Sequence, residues 1–336
     1  MSSRTERARD LPRSVFVHEI LDPSGRSLTW LEEQGVRVVR GEETWAASHL
    51  DEDALIERGR GHVALMGAST NPITRRVIEE LPDLAFISKY GIGVDSIDMA
   101  AAEEHGVLVT NTPVPENIEA VAEYTVAAML ALRKQLLFYT TERMREGGWR
   151  TPDAWGDFVW RKTVGYVGFG RIARAVARRL QGWDTTTLVY DPYIEVQEPG
   201  VRQTSLEELL AESDVITLHA VASTANRHLI DEAALSLVKP SAVIVNSARG
   251  SLMDLDAVHR AMLGGRLAGV ALDAYEHEPP EIDHPLFLLP NVLATPHASA
   301  WVRETFQRIS DCGAENLAAA LRGDVPDNAV NPQVLG

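Results

Sequence analysis

The stretch Thr163-Val164-Gly165-Tyr166-Val167-Gly168-Phe169-Gly170-Arg171-Ile172-Ala173 decides the fold of this chain. Residues 164–167 form a short apolar run, which is typical of a strand that is buried on both faces. Two glycines, Gly168 and Gly170, follow this run directly, and residues 171–180 then carry apolar side chains at helical spacing. The stretch therefore predicts a strand, a glycine turn and a helix.

An acidic residue completes this pattern as a dinucleotide-binding fingerprint. A second predicted strand ends at Asp191, 18 residues after Ala173. In such a fingerprint the first glycine allows a tight turn, the second lets the backbone approach a pyrophosphate at the helix N-terminus, and the acid binds the ribose hydroxyls. Ala173 replaces the usual third glycine and is small enough for close packing of the helix on the strand. Because Asp191 would repel a 2′-phosphate and residues 192–195 supply no cation, we expect NAD rather than NADP.

The composition is that of a globular protein with two domains. The chain has 336 residues, of which 45% are hydrophobic and 24% are charged. Its net charge of −16 argues against nucleic acid and anionic membranes as partners. The single cysteine, Cys312, excludes an internal disulfide and a cysteine-based metal site, and we expect no metal. Residues 1–13 lack the apolar segment of a signal peptide and no run reaches membrane-spanning length, so a cytoplasmic location is expected.

Strands alternate with helices along most of the chain, which indicates parallel sheets. In the first part we predict strands over residues 14–20, 36–39, 62–66, 84–88 and 107–110, and helices over residues 27–34, 71–80 and 99–104. A proline-containing break at residues 111–115 indicates a hinge, and a long helix is predicted after it over residues 118–137.

The same alternation continues beyond Asp191. Strands are predicted over residues 214–218, 242–245, 268–272 and 292–294, and helices over residues 206–211, 231–238 and 256–263. A last helix, over residues 305–321, returns the chain to the first domain. We therefore predict an α/β protein with two doubly wound parallel-sheet (Rossmann-like) domains, one of residues 1–112 plus 305–336 and the other of residues 113–304.

Polar side chains stand repeatedly at the carboxyl ends of the predicted strands, where functional groups gather in sheets of this kind. These residues are Ser69, Lys89, Asp191, His219, Arg249, Asp273 and His297. Arg249 offers a planar fork that matches a carboxylate, and His297 can take or return a proton near neutral pH. Glu278, in a proline-containing loop, would fix the tautomer of a histidine beside it. Together with a nicotinamide these three groups suit the oxidation of an alcohol carbon that bears an acid group, although each alone is more often a surface or capping residue.

Several motifs, found in order along the chain, connect it with a known family. They are residues 89–98 (KYGIGVDSID), 109–123 (VTNTPVPENIEAVAE), 164–173, 245–250 (VNSARG), 271–279 (ALDAYEHEP) and 295–297. With these motifs the sequence resembles the D-isomer-specific 2-hydroxyacid dehydrogenases, most closely their phosphoglycerate-dehydrogenase-like branch, over about residues 64–332.

The resemblance implies an NAD-dependent oxidoreductase in which residues 1–112 plus 305–336 bind the substrate, residues 113–304 bind NAD, and the active site lies in a cleft between the two domains that closes on substrate. Arg249 would bind the substrate carboxylate and the reacting oxygen, His297 would be the acid/base and Glu278 its partner. With the fingerprint, the expected cofactor contacts are Gly168, Gly170, Arg171, Ile172, Asp191, His219, Ala220, Val221, Ser247, Ala248, Arg249, Asp273 (to the nicotinamide carboxamide), His297 and Ser299. The expected substrate contacts are Ser69, Lys89, Tyr90, the backbone amides around Gly91, Ile92 and Gly93, Arg249 and Trp301.

Three positions depart from the family pattern, and none of them removes a catalytic group. His219-Ala220-Val221 replaces the common His-x-Pro, so one turn beside the cofactor is expected to be looser. Arg161 stands where glycine is common, and Trp301 is bulky enough to shrink the substrate pocket if it lines it.

The sequence leaves the substrate itself open. Arg249 and the backbone amides of residues 91–93 already supply what one carboxylate needs, so a further cation at Lys89 predicts additional negative charge on the substrate. We expect a small, multiply charged 2-hydroxy acid, with an α-hydroxyphosphonate as the alternative, although Lys89 could equally pair with a nearby acid. An NAD-sensing binding protein, similar to certain transcriptional corepressors, is the alternative of another class.

Three of the seven tryptophans, Trp149, Trp155 and Trp160, lie in an irregular segment over residues 143–162. Aromatic residues outside regular elements often mark an interface. We expect a homodimer formed through an arm of residues 138–162, although the same segment could instead fold onto its own domain.

Overall fold

The computed structural model describes residues 4–41, 50–67, 72–152 and 154–335, which divide between two compact units. Unit 1 comprises Met1–Asn117 and Trp301–Gly336, and unit 2 comprises Ile118–Ala300. The sequence predicts boundaries at residues 112/113 and 304/305, a few positions from these limits. Unit 1 is therefore assembled from two separate stretches of chain, and unit 2 from one continuous stretch.

Unit 1 contains a five-stranded sheet in which all neighbouring strands are parallel. Its strands are β1 (Ser14–Val17), β2 (Arg37–Arg40), β3 (Ala64–Gly67), β4 (Phe86–Lys89) and β5 (Leu108–Thr110). Every residue of β1, β3, β4 and β5 is buried, as their apolar runs predict, whereas β2 lies at the edge and is partly exposed. The order is β2-β1-β3-β4-β5, so the direction of winding reverses between β1 and β3.

Unit 2 contains a seven-stranded sheet that is also wholly parallel. Its strands are β6 (Thr163–Val167), β7 (Thr186–Tyr190), β8 (Val201–Gln203), β9 (Val215–Leu218), β10 (Val243–Asn246), β11 (Gly269–Leu272) and β12 (Val292–Ala294). The order β12-β11-β10-β9-β6-β7-β8 reverses between β6 and β9. The two sheets confirm the predicted α/β class with two Rossmann-like domains. The sequence does not predict β8, an edge strand of three residues.

The helices that the structure describes are α1 (Arg4–Arg7), α2 (Arg26–Glu33), α3 (Glu52–Gly59), α4 (Arg75–Glu80), α5 (Met99–Glu104), α6 (Pro115–Arg133), α7 (Thr141–Arg145), α8 (Arg171–Leu180), α9 (Leu206–Glu212), α10 (Glu232–Leu237), α11 (Leu255–Leu263) and α12 (Arg303–Arg322). None of them combines the length and the apolar character that crossing a bilayer requires. Helices α1, α3 and α7 are not among those predicted from the sequence. The start of α3 could have been predicted from Asp51, a residue type that often caps helices. Its carboxylate accepts a hydrogen bond from the amide of Ala54 (2.8 Å).

The predicted boundaries of two helices are wrong, at the start of α4 and at both ends of α6. α4 begins at Arg75 rather than at residue 71, because the hydroxyl of Thr74 caps it by accepting from the amide of Val77. α6 begins at Pro115, which is tolerated in a first turn, and ends at Arg133 rather than at residue 137. Beyond that point the chain turns at Gln135, whose φ is +56°.

Helices cover both faces of each sheet. In unit 1, one face packs against α2 and α12, with Leu317 of α12 in the same buried cluster as Val15, and the other packs against α3, α4 and α5. In unit 2, one face packs against α6 and α8, and the other against α9, α10 and α11. This layering leaves the carboxyl ends of the strands as the edge where polar side chains collect.

His18 lies at the point where the winding of the unit 1 sheet reverses. It follows β1 directly and lies against Gly67 of β3, where a Cβ would be 2.4 Å from Cε1 of the imidazole ring. The ring therefore fits only because residue 67 is glycine. Burial, to which the charge of Lys89 adds, lowers the pKa of His18 to about 4, so the imidazole is neutral at pH 7.

This buried neutral histidine predicts that unit 1 loses stability in mild acid. The unfolded chain takes up a proton at His18 near pH 6.5, whereas the folded chain does so only near pH 4, so the free energy of unfolding falls as the pH falls through this window. Between pH 7 and pH 5 we expect His18 to account for a loss of about 2 kcal/mol.

Amide hydrogen exchange in unit 1, corrected for the pH dependence of the intrinsic rates, measures this loss. His18→Asn should make the free energy of unfolding of unit 1 less dependent on pH, even if the substitution lowers this free energy at every pH. Equal pH dependences in the two proteins would contradict the prediction.

Candidate active site

The glycine turn lies where the unit 2 sheet reverses its winding, between the carboxyl ends of β6 and β9. Gly168 has a φ of +86°, and a Cβ there would lie 2.7 Å from the amide nitrogen of Ala220, so only glycine fits. At Gly170, by contrast, a Cβ would meet no heavy atom of the described residues within 4 Å. The backbone at Gly170 faces open space and α8 begins there without a side-chain cap, which leaves first-turn amides for an anion such as a pyrophosphate.

Asp191 follows β7, and its carboxylate ties the glycine turn to the next loop. Oδ2 accepts from the amide of Phe169 (2.9 Å), and Oδ1 accepts from the amide of Tyr193 (3.0 Å). Gln203 of β8 donates to the carbonyl oxygen of Asp191 (2.9 Å). The acid is thus held beside the turn, where a dinucleotide fingerprint needs an acceptor for the ribose hydroxyls.

The other predicted cofactor residues next to this turn are exposed or partly buried. They are Arg171, Ile172, His219, Ala220 and Val221. The ring of His219 is hydrogen-bonded to the hydroxyl of Thr217 (2.9 Å) and stacks on Tyr166. Burial lowers the pKa of His219 to about 3, so this histidine offers no positive charge to a phosphate at neutral pH.

Arg249 is presented by a turn that Asn246 organises. Asn246 ends β10 and is fully buried, and its side-chain amide donates to the carbonyl oxygen of Arg249 (2.9 Å) and accepts from the amide of Ala248 (3.1 Å). Ser247 in the same turn shares a hydrogen bond with the hydroxyl of Thr125 (3.0 Å). The guanidinium of Arg249 is partly buried and donates to the carbonyl oxygen of Ala248 (2.8 Å). Hydrogen bonds therefore hold the backbone on both sides of Arg249.

His297 and Glu278 form a direct pair. Nδ1 of His297 lies 2.8 Å from Oε2 and 3.0 Å from Oε1 of Glu278. Because a carboxylate only accepts hydrogen bonds, Nδ1 carries the proton and Nε2 of the neutral ring keeps a lone pair. The ring can therefore take a proton at Nε2 and later return it.

The surroundings of Glu278 keep it ionised. Partial burial by itself would raise the pKa of Glu278, but the hydrogen bond and charge of His297, the amide of Tyr275 at 3.0 Å and the charge of Arg249 outweigh it and lower this pKa below its ordinary value. The three predicted catalytic side chains are therefore within electrostatic reach of one another.

The backbone of His297 adopts a strained conformation that Asp273 maintains. Its φ of +51° lies in the left-handed region that residues other than glycine seldom adopt. Asp273 follows β11 and is 1% exposed, and its carboxylate accepts from the hydroxyl of Thr295 (2.6 Å) and from the amides of Ala298 (2.7 Å) and Ser299 (2.8 Å). Such strain persists only where the surroundings over-determine it, which is typical of functional sites. The expected contacts of Asp273 and Ser299 with the cofactor stay predictions.

Two tyrosines outside the predicted site hold the same turn through hydrogen bonds to Thr295. Tyr124 of α6 donates to the hydroxyl of Thr295 (2.6 Å), which itself donates to Asp273, and burial raises the pKa of Tyr124 to about 12. Tyr275 donates to the carbonyl oxygen of Thr295 (2.9 Å). A lone tyrosine carries no sequence signal, whereas Asn246 belongs to the VNSARG motif and could have been found there.

The residues of unit 1 that were predicted to bind substrate have different surroundings. Lys89 ends β4, is 4% exposed and donates from Nζ to the carbonyl oxygen of Tyr90 (3.2 Å). The ring of Tyr90 is buried against α12, where a Cβ on Gly313 would lie 2.8 Å from its Cε1, and the predicted substrate contact of Tyr90 stays a prediction. Ser69 lies outside the described residues.

The loop after Tyr90 offers two backbone amides rather than three. The amide of Gly91 donates to the hydroxyl of Thr112 (2.7 Å), and its predicted use for substrate stays a prediction. In the described ranges, the amides of Ile92 and Gly93 have no acceptor, while the carbonyl oxygen of Ile92 is held by Asn111 (2.7 Å). Adjacent amides of this kind form a concavity suited to an anion.

Trp301 lines a cavity of about 710 Å³ within unit 1. Its ring packs edge-on against Phe306 with 4.5 Å between the centroids, and Leu21 and Pro23 line the same cavity. The expectation that Trp301 shrinks a substrate pocket stays a prediction.

Comparison with known proteins decides the family. Residues 126–299 match the family model for the D-isomer specific 2-hydroxyacid dehydrogenase, NAD binding domain. The chain belongs to this family. It is 38% identical over 290 residues to the glyoxylate reductase of Korarchaeum cryptofilum, a match that covers 84% of this chain and 86% of that protein. The predicted NAD-dependent oxidoreductase is thereby confirmed at the level of the family.

Two further relatives show how far the likeness extends. The D-3-phosphoglycerate dehydrogenase of Methanocaldococcus jannaschii is 37% identical over 293 residues, which are 86% of this chain but 55% of that longer protein. The crystal structure of a glyoxylate reductase from Paecilomyes thermophila matches with a TM-score of 0.84 at 27% identity, over 96% of this dehydrogenase-family chain and 99% of the other. The common fold thus includes both units.

Replacing Asp191 tests the cofactor preference. Asp191→Ala should weaken NAD binding and narrow its advantage over NADP, because the mutation removes the ribose acceptor and the charge that repels a 2′-phosphate. A hydrogen bond to a charged group contributes about 1.5–3 kcal/mol, so the Kd for NAD should rise about 10- to 100-fold. Titration calorimetry with both cofactors measures this, with Asp184→Ala as an acid-removal control, and a wild-type preference for NADP would contradict the assignment.

Replacing the histidine tests its role in turnover. His297→Asn should lower kcat by about 10²- to 10⁴-fold and leave NAD binding largely intact, because asparagine tolerates the left-handed backbone but cannot exchange the proton. Glu278→Gln should cost less and shift the pH optimum, since the carboxylate acts through the histidine. Steady-state kinetics across pH and NAD titrations measure both effects. Near-normal turnover in His297→Asn would remove this residue from the mechanism.

Proposed function

We propose that this protein interconverts a small 2-hydroxy acid and the corresponding 2-oxo acid. The observation that carries the proposal is the His297–Glu278 pair, in which Nε2 is left to exchange a proton next to the charge of Arg249. The names of the relatives support it, since glyoxylate is a 2-oxo acid and 3-phosphoglycerate is a 2-hydroxy acid.

In the direction of oxidation, Nε2 of His297 takes the hydroxyl proton and Glu278 stabilises the imidazolium that forms. Arg249 binds the carboxylate and stabilises the reacting oxygen as its charge changes. NAD would be held by the glycine turn and Asp191 and would supply the acceptor for the hydride that leaves the carbon bearing the hydroxyl. In the direction of reduction, the imidazolium of His297 returns its proton to the carbonyl oxygen.

We further propose that the substrate carries more negative charge than one carboxylate. Support comes from Lys89, a buried cation immediately before the amides of Ile92 and Gly93, which have no acceptor among the described residues. Two adjacent amides are enough to hold one carboxylate, so Lys89 is assigned to a second anionic group, such as a phosphate ester. An α-hydroxyphosphonate is the second candidate. Its phosphonate replaces the carboxylate and carries up to two negative charges on that one group.

An NAD-sensing binding protein is disfavoured as the alternative. Binding of the cofactor alone does not require a histidine whose tautomer is fixed by an ionised carboxylate beside an arginine. A spectrophotometric screen for NADH formation with a panel of 2-hydroxy acids and phosphonates separates the two classes. Tight NAD binding without turnover on any of them would favour the binding protein.

Replacing Lys89 tests the charge of the substrate. We expect Lys89→Met to lower kcat/KM only for doubly charged substrates, by about 10- to 100-fold, because a hydrogen bond to a charged group contributes about 1.5–3 kcal/mol. The comparison uses lactate, glycerate, phosphoglycerate and a hydroxyalkylphosphonate in both proteins. Lys239→Met is the matched control, since Lys239 pairs with Asp214 in unit 2. An equal loss for all four compounds, or no loss, would leave Lys89 without a role in specificity.

We also propose that two copies associate through the arm of residues 138–162. Its support is a group of exposed apolar side chains in this segment, Met144, Trp149, Trp155, Phe158 and Trp160, of which Trp149 and Trp155 are 69% and 77% exposed. Exposed aromatic groups of this size usually mark a binding surface.

Light scattering at micromolar concentration should therefore give twice the chain mass of 36.9 kDa. Trp149→Ser combined with Trp155→Ser should shift the protein toward monomer, because it removes apolar area from the contact. Leu288→Ser, at an exposed leucine outside the arm, should not. A monomeric wild type would contradict the proposal.

A further inference from the structure

Glu276 lies in the same loop as Glu278. Its carboxylate is hydrogen-bonded to an arginine and a histidine outside that loop. Oε1 accepts from Nε of Arg227 (2.7 Å), and Oε2 lies 3.0 Å from Nε2 of His228. The hydrogen bonds of His228 and then of Arg227 lower the pKa of Glu276, so the carboxylate is ionised and both neighbours donate to it. None of these three residues belongs to the predicted site.

The segment that holds Glu276 is itself attached to the turn of Arg249. The amide of His228, whose φ is +54°, donates to the carbonyl oxygen of Ser251 (2.7 Å), and the amide of Ile230 donates to that of Leu252 (3.0 Å). Ser251 and Leu252 follow Arg249 by two and three residues. The contact of Glu276 with His228 therefore connects the loop of Glu278 to the segment of Arg249.

A direct backbone contact also connects the segment of Arg249 to the loop of Glu278. A Cβ at Gly250 would lie 2.0 Å from the carbonyl carbon of Tyr275 and 2.2 Å from the amide nitrogen of Glu276. The residue after Arg249 therefore touches the backbone of the loop, and only glycine permits this approach. Glu276 therefore lies in a part of the loop that this contact holds, two residues before Glu278.

We propose that Glu276 is a positioning residue for the reaction: held by Arg227 and His228, it keeps Glu278 in place on Nδ1 of His297. The inference rests on the proposed function. Ion pairs as exposed as this one contribute little to stability, about 0–1 kcal/mol, so the role of Glu276 is to restrict the loop rather than to hold the fold together. A displacement of about 1 Å in a catalytic group can cost up to about 10²-fold in rate.

The first experiment compares Glu276→Ala and Glu276→Gln with Glu232→Gln, which breaks the more exposed pair of Arg260 and Glu232 elsewhere in unit 2. Glu276→Ala should lower kcat about tenfold with the KM for NAD unchanged. Glu276→Gln, whose amide oxygen still accepts from Arg227 or His228, should retain most of the activity, and Glu232→Gln all of it. Thermal unfolding should be nearly unchanged in all three.

The second experiment reads the histidine pair without turnover. In protein labelled with ¹⁵N-histidine, at a pH where the imidazole is neutral, the ring nitrogen shifts of His297 report its tautomer, with His297→Asn providing the assignment. The Nδ1–H tautomer should dominate in the wild type, and the Nε2–H tautomer should gain population in Glu276→Ala. The groups that face the pair, Arg249, Asp273 and Tyr275, are the same in both proteins, so the change reports the position of Glu278.

A double mutant decides whether Glu276 acts through Glu278. In the Glu278→Ala background, Glu276→Ala should cause no further loss of kcat and no further change of tautomer. A full additional tenfold loss there, or an unchanged tautomer in Glu276→Ala, would overturn the inference. If the wild type turned over no 2-hydroxy acid, the proposed function would fail, and the tautomer measurement would still test the positioning role.

Discussion

The position of His297 depends on the buried carboxylate of Asp273. Its three hydrogen bonds come from Thr295 before the histidine and from Ala298 and Ser299 after it, so the carboxylate holds the turn from both sides. Hydrogen bonds to a charged acceptor are about twice as strong as neutral ones, and a buried charge that loses its donors is costly. Relaxing the left-handed φ of His297 would break these bonds, so the strain is maintained. Glu278 then needs only to select the tautomer.

At the point where each sheet reverses its winding, unit 2 leaves an open space and unit 1 is filled by a side chain. In unit 2, glycine at position 168 lets the turn approach Ala220, and the space in front of Gly170 stays open. In unit 1, glycine at position 67 makes room for the ring of His18, which occupies the corresponding reversal point of that sheet. A parallel sheet that reverses its winding always creates a crevice, but the side chain that follows the strand decides whether a ligand can enter.

The sequence predicts the parts of the molecule that depend on neighbours along the chain. The NAD fingerprint and the buried strands are local patterns, so residues 164–173 and Asp191 are sufficient to predict NAD. Short exposed elements such as β8 carry too few apolar residues to form a pattern. The surroundings of the Tyr90 ring and of the Gly91 amide could not be predicted for another reason: Gly313 and Thr112, which contact them, are distant in sequence. The same is true of Glu276, whose partners Arg227 and His228 precede it by 49 and 48 residues.

The divided composition of unit 1 has a consequence for protein synthesis. Its core needs Leu317 and the other buried residues of α12, and its last strand, β5, needs Asn331, whose side chain bonds the backbone of Val107 and Val109. These residues leave the ribosome after all of unit 2, which is one continuous stretch. The NAD-binding unit can therefore complete its sheet during translation, while the strands of unit 1, although made first, must wait for α12 before their apolar face is covered. During that interval the nascent chain exposes a parallel sheet face, the kind of surface that chaperones bind.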